Sequence, residues 1–114
     1  MKNIIEIKSF NFSVRIVRLY KYLTTVKHEY VLSKQLVRSG TSIGANVAEA
    51  ERGQTRADFH AKMNIALKEA GETLYWIKLL YAAHYLTTTE YNSIKKDNQE
   101  IIAILTAICK ATDD

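Results

Sequence analysis

The chain has 114 residues, of which 47% are hydrophobic and 25% charged, and its net charge is +4. This length and composition fit one soluble domain covering residues 1–114. The single cysteine, Cys109, excludes an internal disulfide and argues against a thiolate metal cluster. Neither a signal-peptide pattern nor an apolar run of about 18 residues is present, so we expect a cytoplasmic protein with no membrane partner.

The first helix is predicted from Ser9 to His28, where apolar residues recur at steps of three and four. The chain has no proline and only four glycines, which favours long helices with short connections. A second apolar stripe and a basic edge flank the core face of this helix. The core face comprises Phe12, Ile16, Leu19, Leu23 and Val26, the second stripe Phe10, Val14 and Val17, and the basic edge Arg15, Arg18 and Lys21.

The second helix is predicted from Ser33, as N-cap, to Arg52, with Gly53 as its stop. Its two opposite faces differ in character. The apolar face comprises Leu36, Gly40, Ile43, Val47 and Ala50, and the opposite face Lys34, Arg38, Ala45, Glu49 and Arg52.

The third and fourth helices both begin at capping-box spacings, Thr55 with Asp58 and Thr87 with Glu90. We expect them to end near Ala83 and Ala111. Short connections make neighbouring helices antiparallel, so the predicted fold is an all-α, up-down-up-down four-helix bundle. The core stripes are Phe59, Met63, Ala66, Ala70, Leu74, Ile77 and Tyr81 in the third helix, and Tyr91, Ile94, Ile101, Leu105 and Ile108 in the fourth.

The third helix also carries a second seam opposite its core stripe, formed by Ile65, Glu69, Glu72, Trp76 and Leu79. A helix that is apolar on two sides is buried on two sides. Since the first helix shows the same surplus, we expect a homo-oligomer with these two stripes at the subunit contact. The alternative is that Trp76 only covers the edge of the bundle.

The charge is unevenly spread, with +6 on residues 1–56 and −2 on residues 57–114. The basic half predicts an acidic partner such as RNA or DNA, with ordinary solvated charge as the alternative. The candidate nucleic-acid-binding residues are Arg15, Arg18, Lys21, Lys34, Arg38 and Arg52.

No catalytic, cofactor or metal motif is apparent. The three histidines are far apart in sequence and form no ligand pair. Glu69 and Glu72 share a face and suit paired acid–base carboxylates, but a salt-bridged face near Lys62 and Lys68 is the more frequent meaning of such a pair. Cys109 is interpreted as a core residue.

A polar row crosses the stretch "TSIGANVAEAERG", where Ser42, Asn46 and Glu49 stand on one side of the second helix. We interpret the row first as a structural motif: the small residues admit a neighbouring helix, and Ser42 and Asn46 bond across that contact. Glu49 would pair with Arg38, with Arg52 or with a basic side chain on another helix. A ligand site is the alternative.

The stretches "QLVRSGTSIGANVAEA" and "FHAKMNIALKEAGETLYWIKLL" resemble the four-helix-bundle family of 23S ribosomal RNA intervening-sequence proteins. The resemblance covers about residues 10–110. The family often has proline where Gly44 stands and glycine where Ala50 stands, so we expect the second helix to continue beyond Ala50. The matching positions are Arg38, Ser42, Ile43, Ala45, Asn46, Ala48, Glu49, Ile65, Ala66, Ala70 and Glu72.

The resemblance implies further properties. A similar protein is the accessory factor of diversity-generating retroelements, a pentameric barrel that binds nucleic acid and a reverse transcriptase. It therefore suggests a pentamer, with a reverse transcriptase or another protein among the partners. Three functions compete: a non-enzymatic nucleic-acid-binding adaptor, a structural or protein-interaction module, and an enzyme using Glu69, Glu72 and His60, which the sequence favours least.

Overall fold

The computed structural model describes residues 3–113, and all regular structure in that range is α-helical. The helices are α1 (Ile4–Thr25), α2 (Leu32–Glu51), α3 (Arg56–Ala82) and α4 (Thr88–Thr112). The predicted all-α class and the number of helices are confirmed.

Consecutive helices run antiparallel. At the start of α1, Asn3 Nδ2 donates to Glu51 Oε1 at the end of α2, 2.7 Å away, and further along the two helices Ile16 faces Gly40. The α3–α4 and α1–α4 contacts show that these pairs of helices also run in opposite directions. The contact between α1 and α4 is the least extensive of the four helix–helix contacts. The marker contacts are Asn98 with Ala70, Tyr81 with Thr88 and His60 with Thr112 for α3–α4, and Lys8 with Glu100 and Arg15 with Asp97 for α1–α4.

One stripe of each helix is buried, mostly at steps of three and four residues. This is the spacing of side chains that interlock between helices in bundles. The buried positions are Ile5, Ser9, Phe12, Ile16 and Leu23 in α1; Ser33, Leu36, Ser39, Gly40, Ile43, Val47 and Ala50 in α2; Met63, Ala66, Ala70, Thr73, Ile77 and Leu80 in α3; and Ile94, Asn98, Ile101, Leu105 and Cys109 in α4.

The predicted bounds of the first helix are wrong at both ends. The helix begins at Ile4, because the Asn3 side chain caps it by accepting from the Glu6 N–H at 3.0 Å. It ends at Thr25, which leaves Val26 exposed and outside the core. The spacing of Asn3 and Glu6 is itself a capping-box spacing, so the sequence contained the missed signal.

Glu29, and not Ser33, caps the start of α2. The Glu29 carboxylate accepts backbone hydrogen bonds from Val31, Leu32 and Ser33 at 2.7–3.0 Å. Ser33 lies within the helix, buried, and its hydroxyl donates to the Glu29 carbonyl oxygen. The prediction that Ser33 is the N-cap is therefore wrong. Burial acts to raise the pKa of Glu29, but the three N–H donors outweigh it and hold the pKa below its ordinary value.

The other two caps are confirmed. The Thr55 side chain accepts from the Asp58 N–H, and Thr87 and Glu90 form both halves of a capping box. At its C-terminus α3 closes with His84 in the left-handed region at φ 69° and the Tyr85 N–H bonded to the Leu80 carbonyl.

The α3 core stripe departs from the prediction in its second half. Thr73 and Leu80 are buried, while Leu74 and Tyr81 are half-buried. The Thr73 and Ser39 hydroxyls lie 2.9 Å apart, so the polar group of Thr73 has a partner across the α2–α3 contact.

Asn98 is the buried polar residue of α4. Its Nδ2 donates to the Ala70 carbonyl at 3.2 Å, and its Oδ1 is buried with no hydrogen-bond partner within the described chain. In residues 3–113, no helix has both the length and the apolar character needed to cross a membrane.

Replacing Glu29 with Ala should lower the free energy of unfolding by about 1–3 kcal/mol at neutral pH, because three backbone donors lose their acceptor. The folded-state pKa of Glu29 is depressed, so its contribution is present above the unfolded-state pKa and disappears as the pH falls through the folded-state value. Urea denaturation at pH 7 and pH 3 should therefore show a larger difference between variant and unmodified protein at pH 7 than at pH 3. Glu49→Ala, which removes an exposed carboxylate of α2, is the control. An equal effect of the two substitutions would contradict the capping role.

Candidate interaction surfaces

The glycines of the α2 motif set the distance between α1 and α2. A Cβ atom at Gly40 would lie 2.8 Å from Ile16 Cγ2, closer than carbon atoms approach. At Gly44 it would lie 3.0 Å from the Ser13 hydroxyl oxygen. Small residues were expected to admit a neighbouring helix, and at Gly40 they do. The space that a side chain would fill there is occupied by the branched, fully buried Ile16 of α1.

The polar row does not bond across the helix contact as predicted. The Ser42 hydroxyl donates to the Arg38 carbonyl, and Asn46 Nδ2 donates to the Ser42 carbonyl, both within α2. Glu49 is exposed, and Arg38 is engaged elsewhere. The prediction failed because side chains of this length reach the carbonyl one turn back in their own helix.

Arg38 joins α2 to the carboxylates of α3. Its Nη2 atom bonds Glu72 Oε2, and its Nη1 atom lies 3.4 Å from Glu69 Oε2. Trp76 Nε1 also donates to Glu72 Oε2, at 3.1 Å. The two carboxylates are therefore held by arginine and indole donors rather than by Lys62 or Lys68.

Two of the six candidate nucleic-acid-binding residues are thus engaged within the chain. Arg38 binds the α3 carboxylates, and Arg15 bonds Asp97 at 2.6 Å and the Ser93 hydroxyl at 2.9 Å. The other four cations are exposed, and none has a salt-bridge partner among residues 3–113. These four are Arg18, Lys21, Lys34 and Arg52.

The second stripe of α1 is open on the surface. Phe10 is 67% exposed and Val17 38%, while Val14 is half-buried. Beside them, a groove of about 520 Å³ runs between α1 and α2, with Phe10 on one wall and Gly44 on the other. Exposed aromatic and aliphatic side chains next to a groove are the usual composition of a protein contact surface.

The second seam of α3 is only partly open. Ile65 is 41% exposed, whereas Trp76 and Leu79 are half-buried. Trp76 packs against the core and meets the Tyr75 ring edge-on at 5.0 Å. Trp76 therefore already has partners within its own chain, and Ile65 is the open end of the seam.

The groups considered for catalysis do not converge. His60 lies nine residues before Glu69 on the same helix, roughly 14 Å along its axis, and bonds Thr112 and Asn64. Cys109 is a core residue, as predicted, and burial raises the pKa of its thiol. Between residues 3 and 113, no group of three or more His, Cys, Asp or Glu side chains is placed to hold a metal ion.

These features define a helical bundle whose distinctive chemistry lies on its outer faces. Residues 1–107 match the family of 23S rRNA-intervening sequence proteins, and the chain belongs to that family. It is also similar to a crystal structure of a protein of unknown function from the S23 ribosomal protein family of Bacteroides thetaiotaomicron VPI-5482. The identity is 55%, the match covers 95% of this chain and 96% of the other, and the TM-score is 0.93. No curated protein matches the chain.

Two glycines provide a matched test of the α1–α2 packing. In Gly40→Ala, overpacking against Ile16 should lower the free energy of unfolding by about 1–3 kcal/mol. The gain from the higher helix propensity of alanine should offset about 1 kcal/mol of that loss. Gly71 lies in α3 with nothing within 4 Å of an added Cβ, so Gly71→Ala should keep that gain in full. Thermal unfolding measures both variants. A Gly40→Ala protein as stable as Gly71→Ala would refute the packing role.

Proposed function

We propose that this protein is a non-enzymatic oligomeric adaptor that binds nucleic acid through a basic surface. The observation that carries the proposal is a set of four exposed cations on α1, on α2 and at the end of α2, none of which has a salt-bridge partner within residues 3–113. Membership of the family named for 23S rRNA intervening sequences is compatible with such a role but names no ligand. Because no base-reading element stands out, the proposed binding is to the phosphate backbone and largely independent of sequence.

The proposed assembly is a homo-oligomer formed through the second stripes of α1 and α3. Phe10 and Ile65 support it, since each is a large apolar side chain open to solvent in the single chain. The resemblance to the retroelement accessory factor suggests five subunits. A ring would repeat a weak basic patch around its axis, and several weak phosphate contacts would then act together on one strand.

A second candidate function is a structural or protein-interaction module without a nucleic-acid role. The apolar groove beside Phe10 favours it, because such a groove suits a protein segment better than a phosphate chain. The two functions differ in salt response: phosphate contacts weaken steeply as salt rises, whereas an apolar contact barely responds. A reverse transcriptase or another protein is a proposed partner under either function.

Phe10→Glu should dissociate the oligomer, because it places a charge in the proposed apolar contact. Phe10 suits this test better than Trp76, which packs against the core of its own chain. Light scattering coupled to size exclusion gives the mass, and circular dichroism checks the fold. Val31→Glu, at an apolar position that is 72% exposed but outside both stripes, is the control and should leave the mass unchanged. A monomeric unmodified protein would end the assembly proposal.

Arg18→Gln combined with Lys21→Gln should weaken binding to labelled RNA and DNA. The salt slope should also fall by roughly one for each cation that no longer meets a phosphate. Anisotropy titrations at two salt concentrations measure both quantities. Lys62→Gln combined with Lys110→Gln removes the same charge near the other end of the bundle and should have little effect. If the unmodified protein binds neither RNA nor DNA, the nucleic-acid role falls and the protein-interaction function is retained.

A further inference from the structure

The charge of the bundle is polarised along its long axis. We define the loop end as residues 18–34 and 75–96, which contain the α1–α2 and α3–α4 connections and the adjoining helix turns. Both connections lie at the same end of the antiparallel bundle, where Tyr22 and Leu86 line one groove. The loop end holds seven Lys and Arg against two Glu, a net charge of +5. Since the whole chain carries +4, the remainder carries −1.

Both carboxylates of the loop end are already in use. Glu29 is buried and caps α2, and Glu90 caps α4. Lys27 and Lys95 lie over tyrosine rings, 5.9 Å and 4.7 Å from the ring centres. None of the seven cations of the loop end forms a salt bridge with any described residue. These cations are Arg18, Lys21, Lys27, Lys34, Lys78, Lys95 and Lys96.

The tyrosine and tryptophan side chains follow the same division, whereas the three phenylalanines lie outside the loop end. All seven tyrosines and the single tryptophan of the chain fall within the loop end. Every one of the tyrosines is at least partly exposed, Tyr30 to 55% and Tyr75 to 58%. Tyr81, Tyr85 and Tyr91 pack against the core, and the Tyr81 and Tyr91 rings stack on each other. Tyr30 and Tyr75 remain exposed, and an exposed aromatic ring beside cations is available to a ligand.

Backbone hydrogen bonds hold both connections in place. The Glu29 N–H donates to the Leu23 carbonyl and the Tyr85 N–H to the Leu80 carbonyl, each at 2.9 Å. His28 and His84 take the left-handed conformation at the two helix ends. The aromatic rings and cations of the loop end are thus presented by an ordered scaffold, which reduces the entropic cost of binding.

We propose that the loop end binds single-stranded nucleic acid, with tyrosine rings stacking on unpaired bases and the cations contacting the phosphates. The proposal rests on the nucleic-acid role proposed above and assigns it a place and a strand type. Exposed aromatic rings among cations are the features by which proteins hold single strands without reading sequence. A duplex keeps its base faces stacked on one another, so it cannot use the rings. A groove of about 460 Å³ between α1 and α4, with Arg18 and Tyr22 on one wall, offers space for part of the strand.

The test uses fluorescein-labelled oligothymidylate, which lacks base pairing, and a labelled duplex of mixed sequence, both followed by anisotropy with the intact protein. The single strand should bind more tightly than the duplex. Tyr30→Ala should weaken binding of the single strand about tenfold, the effect of removing one stacked base. Tyr30→Phe keeps an aromatic ring and should bind the single strand as tightly as the unmodified protein. Lys27→Gln with Lys34→Gln should weaken binding more than the Lys62→Gln, Lys110→Gln control, which removes the same charge. Circular dichroism and light scattering confirm that each variant keeps its fold and mass.

The outcomes separate the two proposals. Unmodified protein that binds neither probe overturns both. Binding that survives Tyr30→Ala and responds equally to the two lysine pairs overturns the loop-end assignment alone and leaves a general basic surface. Equal affinity for duplex and single strand also overturns the assignment, because stacking would then contribute nothing.

Discussion

A bundle of four helices in a chain this short buries one stripe per helix, and this limit decides where the other residues go. The buried stripes repeat at steps of three and four, so the side chains interlock and the helices must approach closely. Gly40 makes that approach possible at Ile16. Once the stripes are filled, most further side chains lie at least partly on the outside. Some of them, such as Trp76, are covered by neighbours in the same chain, and others, such as Phe10, are open to a partner.

The features predicted well from the sequence depend on neighbours in sequence. The Thr55 and Thr87 caps need only the next three residues, and the stripe of α2 follows from spacing alone. Two of the features that were missed are just as local: the Asn3 side chain caps α1 at Glu6, and Glu29 accepts from residues two to four positions further on. The Arg15–Asp97 pair, in contrast, joins residues 82 positions apart on two helices and does not follow from spacing within one helix.

The candidate surfaces were harder to predict than the fold for the same physical reason. The two halves of the sequence differ in net charge, and the fold adds a second division, between the loop end at +5 and the remainder at −1. Each end of the bundle draws on all four helices, so this second division does not follow from a count along the sequence. Arg38 illustrates the consequence: its place on α2 suggested a free cation, but α3 supplies two carboxylates to it. Family membership establishes the fold but not the functional site, because many sites of different chemistry can be built on one bundle.

Asn98 bears on the alignment of α4 along α3. An entirely aliphatic stripe could slide by one helical turn and still bury similar surface. The Asn98 amide has one hydrogen bond, to the Ala70 carbonyl, and its oxygen is already buried without a partner among the described residues. A one-turn slide would break that bond and leave the whole amide unsatisfied in the core, at a cost of about 1–3 kcal/mol. The residue that looks like a defect in the core thereby discriminates against misaligned packing.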